Sequence, residues 1–273
     1  MSARTWSALA VLLTTLGCMT HGPRRASVDT APLRGSVAVP DSLGRTLGTL
    51  VAGDPRGPRV LLVHGTPGSA EGWADYLLDP PPGVEIVALD RPGFGRSGPE
   101  GALVQLADQA AAVAALLPDD GRPAVLVGHS LGGPIVARVA AEHPDRVAAV
   151  VLLAASLDPA LERIHPLQWL GAWAPVRSLL PRAIRNSNAE LMALRPQLVE
   201  LEALLPRVLA PVLIVHGSAD DLVPVANVPY LQARLRGARC VQTRLLPGRN
   251  HFLPWNAEAE VRAAIGWAGA VPC

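Results

Sequence analysis

The chain has 273 residues, 49 % of them hydrophobic, and a formal net charge of +1. That length suits one domain with an insertion, or two small domains, and the apolar share excludes a chain disordered throughout. The near-zero charge gives no electrostatic ground for a nucleic-acid partner. All 24 basic residues are Arg, and with 27 Pro the composition reads as codon bias from a GC-rich genome.

The chain opens with "MSARTWSALAVLLTTLGCMTHGPRR". One early Arg precedes an apolar run from Trp6 to Gly17, too short to span a bilayer comfortably but suited to a signal-peptide core. "TLGC" before and at Cys18 resembles a bacterial lipoprotein cleavage box, with Thr15 where Leu is usual. Residues 1–18 are therefore expected to be an export signal, with a lipid on Cys18 as the protein's only tie to a membrane. An ordinary secretory signal, or an uncleaved anchor, with Cys18 incidental, is the alternative. Residues 19–34 read as a tether.

From residue 35 onward, short apolar runs alternate with helical patterns. Strands are expected at 46–53, 59–65, 84–90, 123–129, 147–155, 211–217 and 239–248. Several are continuously apolar, as strands covered on both faces must be. Helices are expected near 101–117, 131–143, 225–236 and 257–269. This alternation predicts an α/β fold: a mostly parallel central sheet with helices on both faces. About 55 residues separate the strand ending near Ala155 from the one starting at Pro211. So long an interval, with leucines in helical spacing, predicts an inserted helical cap over about 157–206.

The chemistry centres on "VLVGHSLGG", residues 125–133. Gly128-His129-Ser130-Leu131-Gly132 is G-x-S-x-G where a strand gives way to a helix. Glycines two residues either side relieve the crowding of a tight turn, so Ser130 can be held strained with its hydroxyl exposed. The Leu131 N–H, at the helix start, is free to donate to an oxyanion. A serine needs a base near neutral pH, and the base needs an orienting acid. His251, just past the last strand, and Asp220, just past the strand before it, are the candidates; in some α/β-hydrolases the acid follows the preceding strand, where Asp158 lies. The order Ser130, Asp220, His251 is that of α/β-hydrolases. Each residue also has a plainer reading: a helix cap for Ser130 or Asp220, a solvated loop histidine for His251.

"LLVHGTPGSAEGW", "ALDRPGFGRSG", "LVGHSLGG", "VLIVHGSADDLVP" and "GRNHF" together resemble the α/β-hydrolase fold family, in its serine-esterase and lipase branch, over about residues 45–270. The resemblance implies a triad of Ser130, Asp220 and His251, with Gly217 to Pro224 matching the family's G-x-x-D-x-x-V-P. It implies a second oxyanion donor in "HGTPG", the backbone N–H of Thr66. It implies a small acyl substrate, most commonly a carboxylic ester, and neither cofactor nor metal. Lactone, amide or carbon–carbon cleavage and perhydrolysis use the same triad, and a non-catalytic binding protein can share the fold. Phe94 in "DRPGFGRSG" is a candidate substrate contact. Trp169 and Trp173, four apart on one helix face, are expected to pack within the cap or to line an apolar pocket. His64 and His129 are expected to be structural.

Finally, Cys240 begins the last strand, and the closing helix must run back toward that strand's start. This predicts a disulfide between Cys240 and Cys273.

Overall fold

A computed structural model describes residues 29–39 and 45–270. The apolar run, Cys18 and Cys273 lie outside the described residues. The strands are β1 (Arg34–Ala38), β2 (Thr46–Gly53), β3 (Arg59–Val63), β4 (Glu85–Leu89), β5 (Ala124–His129), β6 (Val147–Leu153), β7 (Val212–Gly217) and β8 (Val241–Leu246). They form one eight-stranded sheet in the order β1-β2-β4-β3-β5-β6-β7-β8. β2 pairs antiparallel with β1 and β4, and every pair from β4 to β8 is parallel.

The central strands carry apolar side chains on both faces because both faces are covered. Leu61, Val63, Leu126 and Ile214 point into one core, and their neighbours Val60, Leu62, Val125 and Leu213 into the other. The first core is closed by α2 (Leu106–Ala114), α3 (Gly132–Glu142) and α7 (Asn227–Arg234). The second is closed by α1 (Ala74–Leu78) and α9 (Glu258–Ala270). A four-residue helix, α8 (Leu253–Asn256), precedes α9. At the sheet edge, β8 presents Gln242, Thr243 and Arg244, polar residues that discourage edge-to-edge pairing.

Between β6 and β7 lie α4 (Pro166–Ala172), α5 (Ala174–Leu179) and the 21-residue α6 (Arg182–Glu202). These helices form the inserted cap. The apolar side of α6 anchors it: Leu194, Leu198 and Leu201 join the first core. No residue of α4 or α5 is buried.

The seven expected strands are found with their ends shifted by two residues or fewer. β1 was not expected, because "RGSVA" has little apolar alternation and makes only an outer hairpin arm with β2. The end of the expected tether is correspondingly structured: Ala31–Leu33 is a 3₁₀ turn, Arg34 begins β1, and the buried Thr30 donates its hydroxyl to Glu71.

Cys240 is disulfide-bonded. Its expected partner, Cys273, lies outside the described residues. The Trp267 indole N–H donates to Gln242 Oε1 at 3.0 Å, so the last turn of α9 lies beside the start of β8. A Cys240–Cys273 bridge closes a loop of 33 residues, worth about 3–4 kcal/mol in the chain-entropy model. Reduction is expected to lower the thermal midpoint by roughly 6–16 °C at the usual conversion. A melt with and without reductant checks this, and two free thiols besides Cys18 on titration of the denatured, unreduced chain would exclude the bridge.

Candidate active site

The candidate residues all follow the C-terminal ends of parallel strands, where an open α/β sheet forms its crevice. Ser130 follows β5, the segment His64-Gly65-Thr66 follows β3, Asp220 follows β7, and His251 lies beyond β8. Ser130 has φ +54°, a left-handed conformation that costs a residue with a Cβ about 1–2 kcal/mol. The turn tolerates this because its glycines let three backbones meet. A Cβ on Gly128 would overlap the Gly132 carbonyl, and one on Gly132 would overlap the Val63 carbonyl of β3. Leu131 follows at the helix start with φ −62° and ψ −20°, so its N–H belongs to the unsatisfied first turn of α3.

Gly65 is pressed against Ser130. A Cβ on Gly65 would stand 2.7 Å from Ser130 Cβ and 3.3 Å from Ser130 Oγ. Two donors hold the Gly65 carbonyl: His64 Nδ1–H at 2.7 Å and Arg91 Nη2 at 3.0 Å. The His64 Nε2 accepts the Arg91 backbone N–H at 3.0 Å, which fixes the tautomer. Burial, and then the Arg91 guanidinium, hold the His64 pKa well below its usual value. His64 is therefore a neutral brace rather than a base.

The stretch "DRPGFGRSG" folds around the Asp90 carboxylate, which accepts the Ala70 N–H at 2.8 Å and the Arg96 N–H at 2.9 Å. Gly95, at φ +49°, lies so close to that carboxylate that a Cβ would overlap it. Arg91 is fully buried and its guanidinium pairs with both oxygens of Glu190 on α6, at 2.7 and 3.0 Å. Glu190 Oε2 also accepts the Thr66 hydroxyl at 2.6 Å. Gln109 donates to Glu190 at 2.8 Å and accepts from Arg91.

On the other side, His251 Nδ1–H donates to Asp220 Oδ2 at 2.8 Å, with both side chains buried. Asp220 Oδ1 accepts the Leu222 and Val223 N–H groups at 3.0 and 2.8 Å. Burial pushes the Asp220 pKa up, but the His251 hydrogen bond and charge, the Val223 N–H and His216 outweigh it, so the net shift is downward. His129 Nε2–H donates to the His251 carbonyl at 3.0 Å, and the two rings lie 4.9 Å apart. The residue before Ser130 thus holds the His251 backbone. Burial, and then His251, push the His129 pKa down to about 3. Among the described residues no group of three or more His, Cys, Asp or Glu is arranged to hold a metal.

Two expectations need correction, and the alternative acid is set aside. Phe94 is 1 % exposed, packed edge-on to His64 and under the Arg91 guanidinium at 4.8 Å; it is an inner wall, not an open contact. Trp169 and Trp173 are 62 % and 61 % exposed, so they do not form the core of the cap. Asp158 does not reach His251; its Oδ1 accepts the Ala160 N–H in its own turn.

Several residues of the site escaped the sequence reading. Arg182, Asn186 and Glu190 are spaced four apart on α6 and face the 91–100 loop. Arg182 donates to the Ser97 carbonyl at 2.6 Å and Asn186 to the Gly93 carbonyl at 2.8 Å. His216, on β7, donates to the Val223 carbonyl at 2.9 Å and stands 3.5 Å from Asp220 Oδ2.

The sequence model of the α/β-hydrolase fold family matches residues 58–195, half of the chain. The chain belongs to the α/β-hydrolase fold family. It is 43 % identical over 109 residues to lipase LipV of Mycobacterium tuberculosis, an alignment covering 39 % of this chain and 40 % of LipV. It is 41 % identical over 96 residues to the dihydrolipoyllysine-residue acetyltransferase component of the acetoin cleaving system of Cupriavidus necator, covering 34 % of this chain and 25 % of that protein. The chain therefore spans well under two thirds of the length of either relative. The monoacylglycerol lipase of Paleococcus ferrophilus superposes with a TM-score of 0.68 at 22 % identity, covering 83 % of this chain and 99 % of that one. At that identity the likeness speaks for the shared α/β-hydrolase fold alone.

Proposed function

We propose that this α/β-hydrolase is a serine hydrolase of carboxylic esters. The observation that carries the reading is Ser130, held at φ +54° between β5 and α3, on the sheet end where His251 and Asp220 are joined at 2.8 Å. In this mechanism His251 Nε2 takes the Ser130 proton as Oγ attacks the acyl carbon. The Leu131 and Thr66 N–H groups hold the oxyanion, and Asp220 stabilises the imidazolium. Collapse expels the alcohol, which receives its proton from His251. Water, deprotonated by the same imidazole, then attacks the acyl-enzyme and releases the acid.

LipV supports an ester as the bond broken. The test is a panel of ester, lactone and amide substrates, with a fluorophosphonate probe as the label for Ser130. Ester turnover and labelling are the expected results; absence of both labelling and turnover would favour a binding protein on this fold. A substitution at Gly65 gives a second check. Gly65→Ala puts a methyl against Ser130 and is expected to lower kcat/KM by at least about 10²-fold, the scale of a 1 Å misplacement.

The same proposal places the enzyme at the cell envelope, tethered by a lipid on Cys18. "TLGC" supports this reading. Mass spectrometry of the native host's membrane fraction should find acylated Cys18 as the first residue, and a chain cut elsewhere would remove the anchor.

A further inference from the structure

The geometry points to Arg91 and Glu190 as positioning residues that aim the Thr66 oxyanion donor, so that the cap helix α6 sets the reactivity of the site beneath it. This inference rests on the serine-hydrolase reading above.

In a trans peptide the carbonyl and the following N–H point in opposite directions. The peptide joining Gly65 and Thr66 is therefore oriented by whatever holds the Gly65 oxygen. Two groups hold it, His64 Nδ1–H at 2.7 Å and Arg91 Nη2 at 3.0 Å. The Thr66 N–H is left on the opposite edge of that peptide, while the Gly65 Cα lies against Ser130. Arg91 cannot drift, because Glu190 takes its guanidinium bidentately and Gln109 Oε1 accepts from its other terminal nitrogen, Nη1. Glu190 then reaches past Arg91 to accept the Thr66 hydroxyl at 2.6 Å. One carboxylate from the cap thus steadies the donor residue twice: through its side chain, and through the carbonyl of its own peptide.

Stability is a poor reason for this arrangement. Arg91, Glu190 and Gln109 are each 2 % exposed or less. A buried ion pair replaced by apolar groups of similar volume is often neutral or more stable, because desolvation cancels the attraction. Holding one peptide carbonyl in a set direction is what a guanidinium anchored bidentately on a carboxylate does and a leucine does not.

The test compares the wild-type chain with Glu190→Gln and Thr66→Val on a matched pair of substrates, an ester and its thionoester, alongside a thermal melt. Sulfur at the reacting carbonyl gains little from oxyanion donors, so the thionoester reports everything except their aim. Glu190→Gln is expected to lower kcat on the ester by roughly 10–100-fold, up to the lower end of what loss of an oxyanion donor costs, with KM little changed. The ester-to-thionoester ratio should narrow by a similar factor. Thr66→Val, which removes one hydroxyl at a half-buried position, should narrow the ratio in the same direction by less. An unchanged ratio in a folded Glu190→Gln protein, with only the melting temperature lowered, would overturn the inference. If Glu190→Gln does not fold, Thr66→Val decides alone, and an unchanged ratio there overturns it. A wild-type chain that hydrolyses neither substrate and resists the fluorophosphonate overturns the functional reading instead.

Discussion

Ser130→Ala is expected to lower kcat on a carboxylic ester by about 10⁴–10⁶-fold and to leave the fold intact, and His251→Ala to do nearly the same. The double variant should be little worse than either single one, because nucleophile and base act as a unit. Ser130 also carries a cost that only function explains. It sits at φ +54°, a conformation that glycine adopts freely and alanine does not. Ser130→Gly should therefore be as inactive as Ser130→Ala yet more stable, by about 1 kcal/mol, or roughly 2–4 °C in the melt for a domain of this size. Kinetics and calorimetry on the four variants check both halves. Near wild-type turnover by Ser130→Ala would end the proposed mechanism. A Ser130→Gly protein no more stable than the alanine variant would mean that the turn is not strained.

The sheet was legible because its code is local. "RVLLV", "EIVAL", "AVLVGH" and "VLIVHG" are runs that only a two-sided strand can use, each bounded by charge, proline or glycine. The glycine-serine turn was legible for the same reason: a steric requirement spanning five residues is written within five residues. The loops at the strand ends gave Ser130, Asp220 and His251 by order alone, and the structure joins Asp220 to His251. What was not legible is non-local. Glu190 lies 99 residues from Arg91 in sequence, and a glutamate four residues after an asparagine on a long helix reads as solvent-facing. The stripe of Arg182, Asn186 and Glu190 is polar because the loop beneath it offers backbone carbonyls and a guanidinium, and neither partner can be seen from the helix. Trp169 and Trp173 failed in the opposite sense. Their spacing suggests one helix face, but α4 ends at Ala172, so Trp173 falls in the extended break before α5, and both rings are left exposed.

Asp220→Asn is expected to lower kcat by roughly 10³–10⁴-fold, the scale known for a triad acid, and the hydrogen bonds give the reason. Asp220 Oδ1 is committed to the Leu222 and Val223 N–H groups, while Oδ2 accepts from His251 Nδ1. An asparagine must keep its single oxygen on the two backbone donors, which turns its NH₂ toward His251. His251 then has to accept at Nδ1 and carry its proton on Nε2, where it cannot take the proton from Ser130. Asp158→Asn and Asp221→Asn should cost less than about tenfold, within what a change outside the reacting groups costs; Asp158 binds its own turn and Asp221 is exposed. A crippling loss in Asp158→Asn would move the acid. The same substitution has a signature in acid. The Asp220 carboxyl has its pKa lowered from the ordinary 3.8, so the ionised group binds its surroundings more tightly in the folded chain. Its stabilisation is complete above that ordinary value and is lost as the pH falls through the lowered one. Melting curves of the wild-type chain should therefore fall more steeply below about pH 4 than those of Asp220→Asn, and parallel curves would mean that this carboxylate is not held as the hydrogen bonds imply.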